Sequence, residues 1–589
     1  MDINQEVIKM RCGICEIGCE IKEGKFGACK MYINRDNEIV ERFPNMYLAA
    51  FPVSIETMPI LHFYPKGKFL QIGTVGCNFK CNGCISKILV DQANSVSGIL
   101  KRMRSEDIVK EAIAENCIGI SFFINEPTVS YYTFKDLAKG AKDNGLFVGC
   151  STNAYFTEKA LRELIPHIDF VNIGIKGYSD DRYRSCGAKS SKFVFRNMKL
   201  LYDSNVHVEV ATVYIKGSED EVIKTARYVS SISKDIPFQV MRFIPFGDAS
   251  IDLEPTIRES EVLCDELRDY LNYVYLFNSP GTKYLNTICS NCGKTVFERE
   301  FYGPMGSRVS GNRSEGLCEC GYKIPFEGVI SDEQFDEKGF FGGYRYTRAL
   351  EMIHAILVAV DADDKEIGKI WSDVIRSDYF KEFHEKIQEI DSYLNIIRYF
   401  AKLSDREDKG EELIGYIENK VDFIASRSKG ADEPRVYYSM GYPLFALNKE
   451  RFENDLVETA GGKSVNKLIK RKGKPGINIS RDEFNDLNPE VIFISGFLSS
   501  PVSDFYDYCL RNDLVVDAIK DKNVYRIYPG WDFGSPRWIL GLMCIANKIH
   551  PEIFNFDMDD EADKFYWRFY RLKFSSIEPN RSFHRASAR

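Results

Sequence analysis

The chain has 589 residues, 44% hydrophobic and 13% aromatic, with 78 Lys and Arg against 86 Asp and Glu and a formal charge of −8. That length suits about four domains with packed cores, and the composition excludes a disordered chain or a nucleic-acid binder working through a basic face. Small molecules and proteins are left as partners. The opening MDINQEVIKM has no basic stretch leading into an apolar one. No apolar run approaches the ~18 residues of a spanning helix. A cytoplasmic protein without a secretory leader or membrane span is therefore expected.

Residues 1–60 read as a Cys-rich start followed by loop-like, proline-bearing sequence. From 68 to about 248, apolar segments at 69–73, 119–124, 146–150, 169–175, 207–215 and 237–243 alternate with amphipathic stretches such as 105–115 and 157–164. Buried strands alternating with helices predict a parallel sheet, open or closed into a barrel. Residues 249–330 read as irregular, and 335–430 as helical with a bend at the acidic run 361–366. From 435 the α/β pattern resumes, with strands at 436–438, 491–494 and 524–527 and helices at 450–459, 503–519 and 536–548. A basic tail ends RSFHRASAR. The expected domains are 1–60, 61–250, 251–334, 335–430 and 431–574.

The chain has 17 cysteines, and most fall into three groups. Short spacings in a long chain without a secretory leader point to metal binding rather than disulfides. Cys77, Cys81 and Cys84 form CX3CX2C just after the strand at 69–73. A cubane iron–sulfur cluster takes four thiolates, so three leave one iron open to substrate. S-adenosylmethionine (SAM) can fill that position. The competing reading is three of the four ligands of a zinc or ferredoxin site. Cys12, Cys15, Cys19 and Cys29 are enough to close either a zinc site or a [4Fe–4S] cluster. Cys289, Cys292, Cys318 and Cys320 resemble a zinc ribbon, with CXC as the second pair; a redox or vestigial site is the other reading. Cys186 is either a hydrogen-atom donor at the barrel mouth or an ordinary thiol. The seven histidines are isolated and read as structural.

The run HFYPKGKFLQIGTVGCNFKCNGC resembles the radical SAM enzymes, in the branch of AmmeMemoRadiSam-system proteins related to pyruvate formate-lyase activating enzymes. The likeness continues in FFINEPTVS, STNA, VNIGIKGY, HVEVATVYIKG and MRFIPF and spans about residues 10–325. It implies a partial (β/α)6 barrel with its site at the C-terminal strand ends. Cys77, Cys81 and Cys84 would be the catalytic cluster ligands. Asn125 and Glu126 would hold the methionine amino group, and Asn153 and Lys176 would face the ribose or methionine carboxylate. The chain departs from the family at Gly83, where a large residue stands beside the adenine. It departs again at Gly174-Ile175-Lys176, in place of Asp-Leu-Lys, and at Ile244, in place of His.

RVYYSMGYPLFALNKERFENDLVETAGGKSVNKL, NPEVIFISG and PGWDFGSPRW resemble class III substrate-binding proteins of ABC importers for iron–siderophores, haem and cobalamin, over about residues 405–570. The likeness implies one Rossmann-like α/β lobe without its usual first lobe. Tyr442, Trp531, Phe533, Arg537 and Trp538 are then candidate ligand contacts, or else packing residues. The leading expectation is a radical SAM enzyme with a lobe that binds a metal chelate, a tetrapyrrole or a protein substrate, reduced by a ferredoxin or flavodoxin. The alternatives are a glycyl-radical-enzyme activase and a non-catalytic metallocofactor or tetrapyrrole carrier.

Overall fold

The computed structural model describes residues 9–91, 97–245, 249–375, 377–498 and 501–577. The start of the opening segment, Phe246 of the MRFIPF run and the basic tail lie outside these residues. The chain divides into two compact units, Met1–Asn278 with Thr282–Thr347, and Ser279–Gly281 with Arg348–Arg589.

The first unit is built on an eight-stranded sheet. Its strands are β1 (Ala49–Ser54), β2 (Lys68–Gly73), β3 (Gly119–Phe122), β4 (Phe147–Thr152), β5 (Phe170–Ile175), β6 (His207–Tyr214), β7 (Phe238–Arg242) and β8 (Val274–Phe277). They lie side by side in chain order; β2 to β8 are parallel, and β1 runs antiparallel to β2. The barrel thus has one parallel strand more than the six expected. β8 and the helix before it, Ile257–Leu267, fall in the stretch read as irregular. VYLF is too short to stand out, and the helix is announced by a capping box, Thr256 with Glu259, rather than by hydrophobic pattern alone. The N-terminal segment is likewise more regular than expected. It forms two hairpins, Lys9–Arg11 with Glu20–Lys22 and Tyr32–Arg35 with Glu38–Glu41.

The strand starts are packed shut. A Cβ on Gly149 would stand 2.3 Å from the Phe170 ring, and one on Gly119 2.4 Å from the Phe69 ring, so these glycines make room for phenyl rings. The Phe63 ring joins them, 4.6 Å from Phe170 and 5.6 Å from Phe147. Above the rings, segment 59–62 is held by buried polar groups of the strands. Glu209 accepts from the backbone N–H groups of Leu61 (2.8 Å) and His62 (2.7 Å), and from Gln239 Nε2 (2.7 Å). The Asn172 and Gln239 amides both donate to the Pro59 carbonyl, at 2.8 and 2.7 Å. A buried carboxylate is tolerated because every donor it needs is supplied.

A three-stranded antiparallel ribbon, Thr287–Ile288, Thr295–Phe301 and Ser307–Asn312, follows β8. Its Val296, Phe297 and Val309 join Leu61, Ala211, Met241, Tyr275 and Phe277 in one apolar cluster, so the ribbon covers β6–β8. The chain then returns across β1 and β2. Glu337 accepts from Ser54 N (2.8 Å) and Thr57 Oγ1 (2.7 Å), and Gly343 N donates to Gln71 Oε1 (2.7 Å). Gly343 is required there: its φ is +53°, and a Cβ would lie 2.5 Å from the Thr57 carbonyl oxygen.

The second unit opens with helices, including Asp364–Val374, Ile390–Leu403 and Glu407–Ser428. They lead into a sheet ordered Gly476–Asn478, Phe445–Leu447, Arg435–Ser439, Val491–Ile494, Val524–Arg526. The last three of these strands are parallel, and Phe445–Leu447 is antiparallel to both its neighbours. Tyr437, Ile492, Ile494, Phe505 and Leu514 form its core. The helix expected at 503–519 is two helices, Val502–Arg511 and Asp517–Lys520, because Asp513 turns into the left-handed region at φ +53°. Among the described residues no helix is long and apolar enough to cross a membrane.

Candidate functional site

After β2 the chain runs over the C-terminal strand ends as a loop carrying Cys77, Cys81 and Cys84, all half-buried. Asn125, beyond β3, fastens the start of this loop. Its Oδ1 accepts from Thr74 N (2.8 Å), and its Nδ2 donates to Thr74 Oγ1 (2.9 Å) and the Gly76 carbonyl (3.3 Å). Asn153, beyond β4, donates from Nδ2 to Asn78 Oδ1 (2.7 Å) and lies 3.9 Å from Cys77 Sγ. Phe79 N donates to the same sulfur at 3.3 Å. Glu126 is buried, and burial raises its carboxyl. It accepts from Thr128 N (3.0 Å), Thr152 Oγ1 (2.8 Å) and Asn153 N (2.7 Å). Asn125 and Glu126 were assigned from sequence to a methionine amino group. In this structure Asn125 ties the thiol loop to the end of β3, and Glu126 ties the end of β3 to that of β4.

Lys176, beyond β5, brings a positive charge to the thiols. Burial alone would pull its ammonium down, but Cys81, Cys186, Cys84 and Cys77 outweigh it and hold the group protonated. Among the described residues it has no carboxylate partner. At Gly174, where the family has Asp, a Cβ would lie 3.4 Å from Lys176 Nζ, so the ammonium folds back over the glycine. Cys186 is buried, and its carbonyl accepts from Lys80 N at 2.9 Å. Its thiol is hydrogen-bonded with Cys81, which draws Cys186 down to about 6.

Two further residues, Phe243 and Tyr344, meet the site here. Gly83 has φ +68°, and a Cβ on it would lie 2.5 Å from the Phe243 ring. The Phe243 ring therefore fills the space that a side chain at position 83 would take. Its signal in the sequence is the aromatic of MRFIPF, one position before Ile244. Tyr344, on the returning segment, is buried and hydrogen-bonded to Ser151, close to Lys176 and Cys84; burial pushes its hydroxyl up to about 12. Only the glycine pair before it marked the spot.

The N-terminal thiols are docked on the same rim, through Glu16 N to the Tyr155 carbonyl (3.0 Å) and Thr157 N to the Ile14 carbonyl (2.9 Å). Burial pushes Cys12 to about 11 and Cys15 to about 12, and Cys29 acts on both through its charge. In the ribbon, Cys289, Cys292, Cys318 and Cys320 bring all four sulfurs within 4.8 Å of one another. Cys289–Cys320 is 3.6 Å and Cys292–Cys318 is 3.4 Å. These thiols form a metal-binding group.

In the second unit, Trp531 and Trp538 are fully buried. Trp531 packs on Tyr528 (5.0 Å) and Phe574 (5.4 Å), and Trp538 on Phe452 (5.2 Å) and Tyr393 (5.8 Å), so these indoles are packing residues of the lobe. Tyr442 stacks on Tyr508 at 4.7 Å, the Phe533 ring is covered by the Arg451 guanidinium at 3.8 Å, and Arg537 Nε donates to Ser535 Oγ at 2.9 Å.

The radical SAM superfamily model matches residues 72–229, which hold the thiol loop, Asn125, Glu126, Asn153 and Lys176. An uncharacterized protein of Methanocaldococcus jannaschii is 33% identical over 309 residues, 50% of this chain and 89% of that protein. The chain belongs to the radical SAM superfamily. A second M. jannaschii protein, provisionally named a glycyl-radical enzyme activating enzyme, is 29% identical over 199 residues, 33% of this chain and 74% of its own. The chain is a radical SAM enzyme, and its donor set fits the cofactors of that class, three thiols beside an ammonium with no carboxylate partner among the described residues. A periplasmic binding protein model matches residues 374–529. Among solved structures, a Veillonella parvula periplasmic solute binding protein shares 24% identity (TM-score 0.29; 33% of this chain, 60% of that one). Helicobacter pylori Ceue with Ni(II) bound shares 25% (TM-score 0.29; 33% and 63%). The chain thus spans about 60% of the length of the solute-binding proteins it resembles.

Proposed function

We propose that the chain cleaves SAM reductively and removes a hydrogen atom from a substrate carbon held at the C-terminal end of the barrel, with Cys77, Cys81 and Cys84 as the cluster ligands. When bound, the cluster supplies the one electron that breaks the sulfonium and releases a 5′-deoxyadenosyl radical. The observation that carries this reading is Lys176. An ammonium among three thiols, with no carboxylate partner among the described residues, suits an anionic cluster and the methionine carboxylate together. Asn125 fastens the loop at Thr74 and Gly76, Asn153 holds Asn78 within it, Glu126 holds the Asn153 backbone, and Phe243 offers a ring to the adenine. The C-terminal lobe binds the substrate, a metal chelate or tetrapyrrole, or docks a protein partner. A ferredoxin or flavodoxin supplies the electron.

The name of the second M. jannaschii relative favours another reading, in which the hydrogen comes from a glycine of a partner protein. Anaerobic reconstitution followed by EPR of the reduced chain tests the proposal. The expected result is a [4Fe–4S]⁺ signal that shifts on adding SAM, with 5′-deoxyadenosine formed, and loss of that shift in the Cys77/Cys81/Cys84→Ala variant. A wild-type signal indifferent to SAM would leave the carrier reading in its place. A glycyl-radical doublet in a co-purified protein would select the activase.

A further inference from the structure

We propose that Tyr344 is a hydrogen-atom donor at the C-terminal end of the barrel, its phenol placed to quench a carbon radical formed beneath the thiol loop. This inference rests on the radical SAM reading of Cys77, Cys81 and Cys84.

The first observation is the face that the returning segment enters. Phe63 packs on the Phe69, Phe147 and Phe170 rings at the closed end of the barrel and so marks the inner face of the sheet. Side chains alternate along a strand, so Gln71 and Ser151, at even steps from Phe69 and Phe147, share that face. Gly343 N donates to Gln71 Oε1 at 2.7 Å, which puts the backbone just before Tyr344 on the inside. Tyr344 is 8% exposed, and its hydroxyl bonds to Ser151. The side chain therefore crosses the inner face from β2 to β4.

Height is the second. Gln71 lies shortly before Gly73, where β2 gives way to the thiol loop. Ser151 lies as far before Asn153, whose Nδ2 is 3.9 Å from Cys77 Sγ. At about 3.3 Å per residue, the level at which the hydroxyl is anchored is about 7 Å below that of Asn153.

Room is the third. Asn172 is the register partner of Ser151, and Gly174 follows it on the same face. A Cβ on Gly174 would meet only Lys176 Nζ at 3.4 Å and the Thr152 carbonyl oxygen at 3.8 Å. Open inner surface is thus left between the anchor of the phenol and the ammonium.

The last observation is that the phenol is held from both sides in the chain. Arg345 Nη2 donates to Glu337 (3.3 Å) and the Phe341 carbonyl (3.0 Å), and its guanidinium covers the Tyr302 ring at 4.2 Å. Thr347 Oγ1 donates to the Tyr344 carbonyl at 2.8 Å. A group that must meet a short-lived radical needs such fixing. The other X–H group at this rim is Cys186, whose thiol is engaged with Cys81.

The step balances. A carbon radical takes the phenolic hydrogen atom: the O–H bond breaks, a C–H bond forms, and the unpaired electron passes to the phenoxyl group. One electron from the ferredoxin- or flavodoxin-class carrier and one proton from solvent restore the phenol.

The test uses the full chain, reconstituted anaerobically and reduced with dithionite in deuterium oxide, with SAM and no substrate. The radical quenched is then the 5′-deoxyadenosyl radical itself. Wild type should form singly deuterated 5′-deoxyadenosine, its label drawn from the exchanged phenol. Freeze-quenched samples should show a phenoxyl EPR signal that narrows when the tyrosines are ring-deuterated. In Tyr344→Phe the deuterium content should fall by an order of magnitude and the phenoxyl signal vanish, while the SAM-induced shift of the cluster signal remains. Product formed by Cys186→Ala should still carry the label. Unlabelled product from wild type would overturn the proposal, as would label that survives in Tyr344→Phe or disappears in Cys186→Ala. If Tyr344→Phe takes up no cluster, wild type still decides, through its label and its phenoxyl signal. Failure of the radical SAM reading would look different: wild type would form no 5′-deoxyadenosine at all, and the proposal would fall with it.

Discussion

At the residue scale, Gly83 and Phe243 are complementary. The ring fills the space above a glycine whose φ is +68°, so the aromatic surface comes from the far side of the barrel instead of from the loop. Gly83→Ala meets both a strained backbone, about 1 kcal/mol, and the Phe243 ring. It should lower the melting temperature and the cluster content after reconstitution, and adding Phe243→Ala should recover only part of the loss. Phe243→Ala alone should raise KM for SAM more than it lowers kcat, as read from 5′-deoxyadenosine formation. Asp532 makes a separate case in the second unit. It accepts from Tyr438 Oη (3.1 Å) and Gly496 N (2.8 Å), and burial, with Glu453 second, raises its carboxyl to about 6. The folded state therefore binds this proton more tightly than the unfolded chain, and stability falls as pH rises from about 4 to about 6. Asp532→Asn should gain in melting temperature relative to wild type across that window and stay level above it. Parallel curves would reject the assignment. The thiols and Lys176 could be named as candidates from sequence because sulfur and charge at strand ends mark themselves by residue type. Phe243, Tyr344 and Asn78 could not, because what each does depends on a partner far along the chain.

At the scale of elements, the ribbon is the informative piece. Its strands are two, seven and six residues long, too little for a stable sheet by itself. Its metal group and its packing on Met241, Tyr275 and Phe277 must supply the rest. Cys289→Ser is expected to abolish metal binding at this group and lower the melting temperature of the first unit, while the SAM-responsive EPR signal survives. Loss of that signal would make the ribbon part of the reaction centre. The six expected strands of the barrel could be read because each is an apolar run in a regular alternation with charged helices. β8 and the hairpins before β1 are short, and their order comes from docking rather than from local preference.

At the scale of the whole molecule, half of the chain matches 89% of an M. jannaschii relative. A stretch of about that length is enough to make nearly all of another protein. A chain ending at residue 347 is expected to keep the cluster and its response to SAM; loss of both would mean that the second unit is needed to build the site. The second unit could be read as a single lobe because only the strands from 435 onward carry an α/β pattern, while residues 335–400 are helical. Its contact residues could not, since aromatic side chains in a loop look alike whether they face a ligand or each other.

The seal that Glu209, Asn172 and Gln239 make around segment 59–62 closes the barrel at its strand starts. With Glu209 gone, the N–H groups of Leu61 and His62 and the Gln239 amide would each lose an acceptor, so a polar lock remote in sequence from the thiols decides whether this end of the barrel can close.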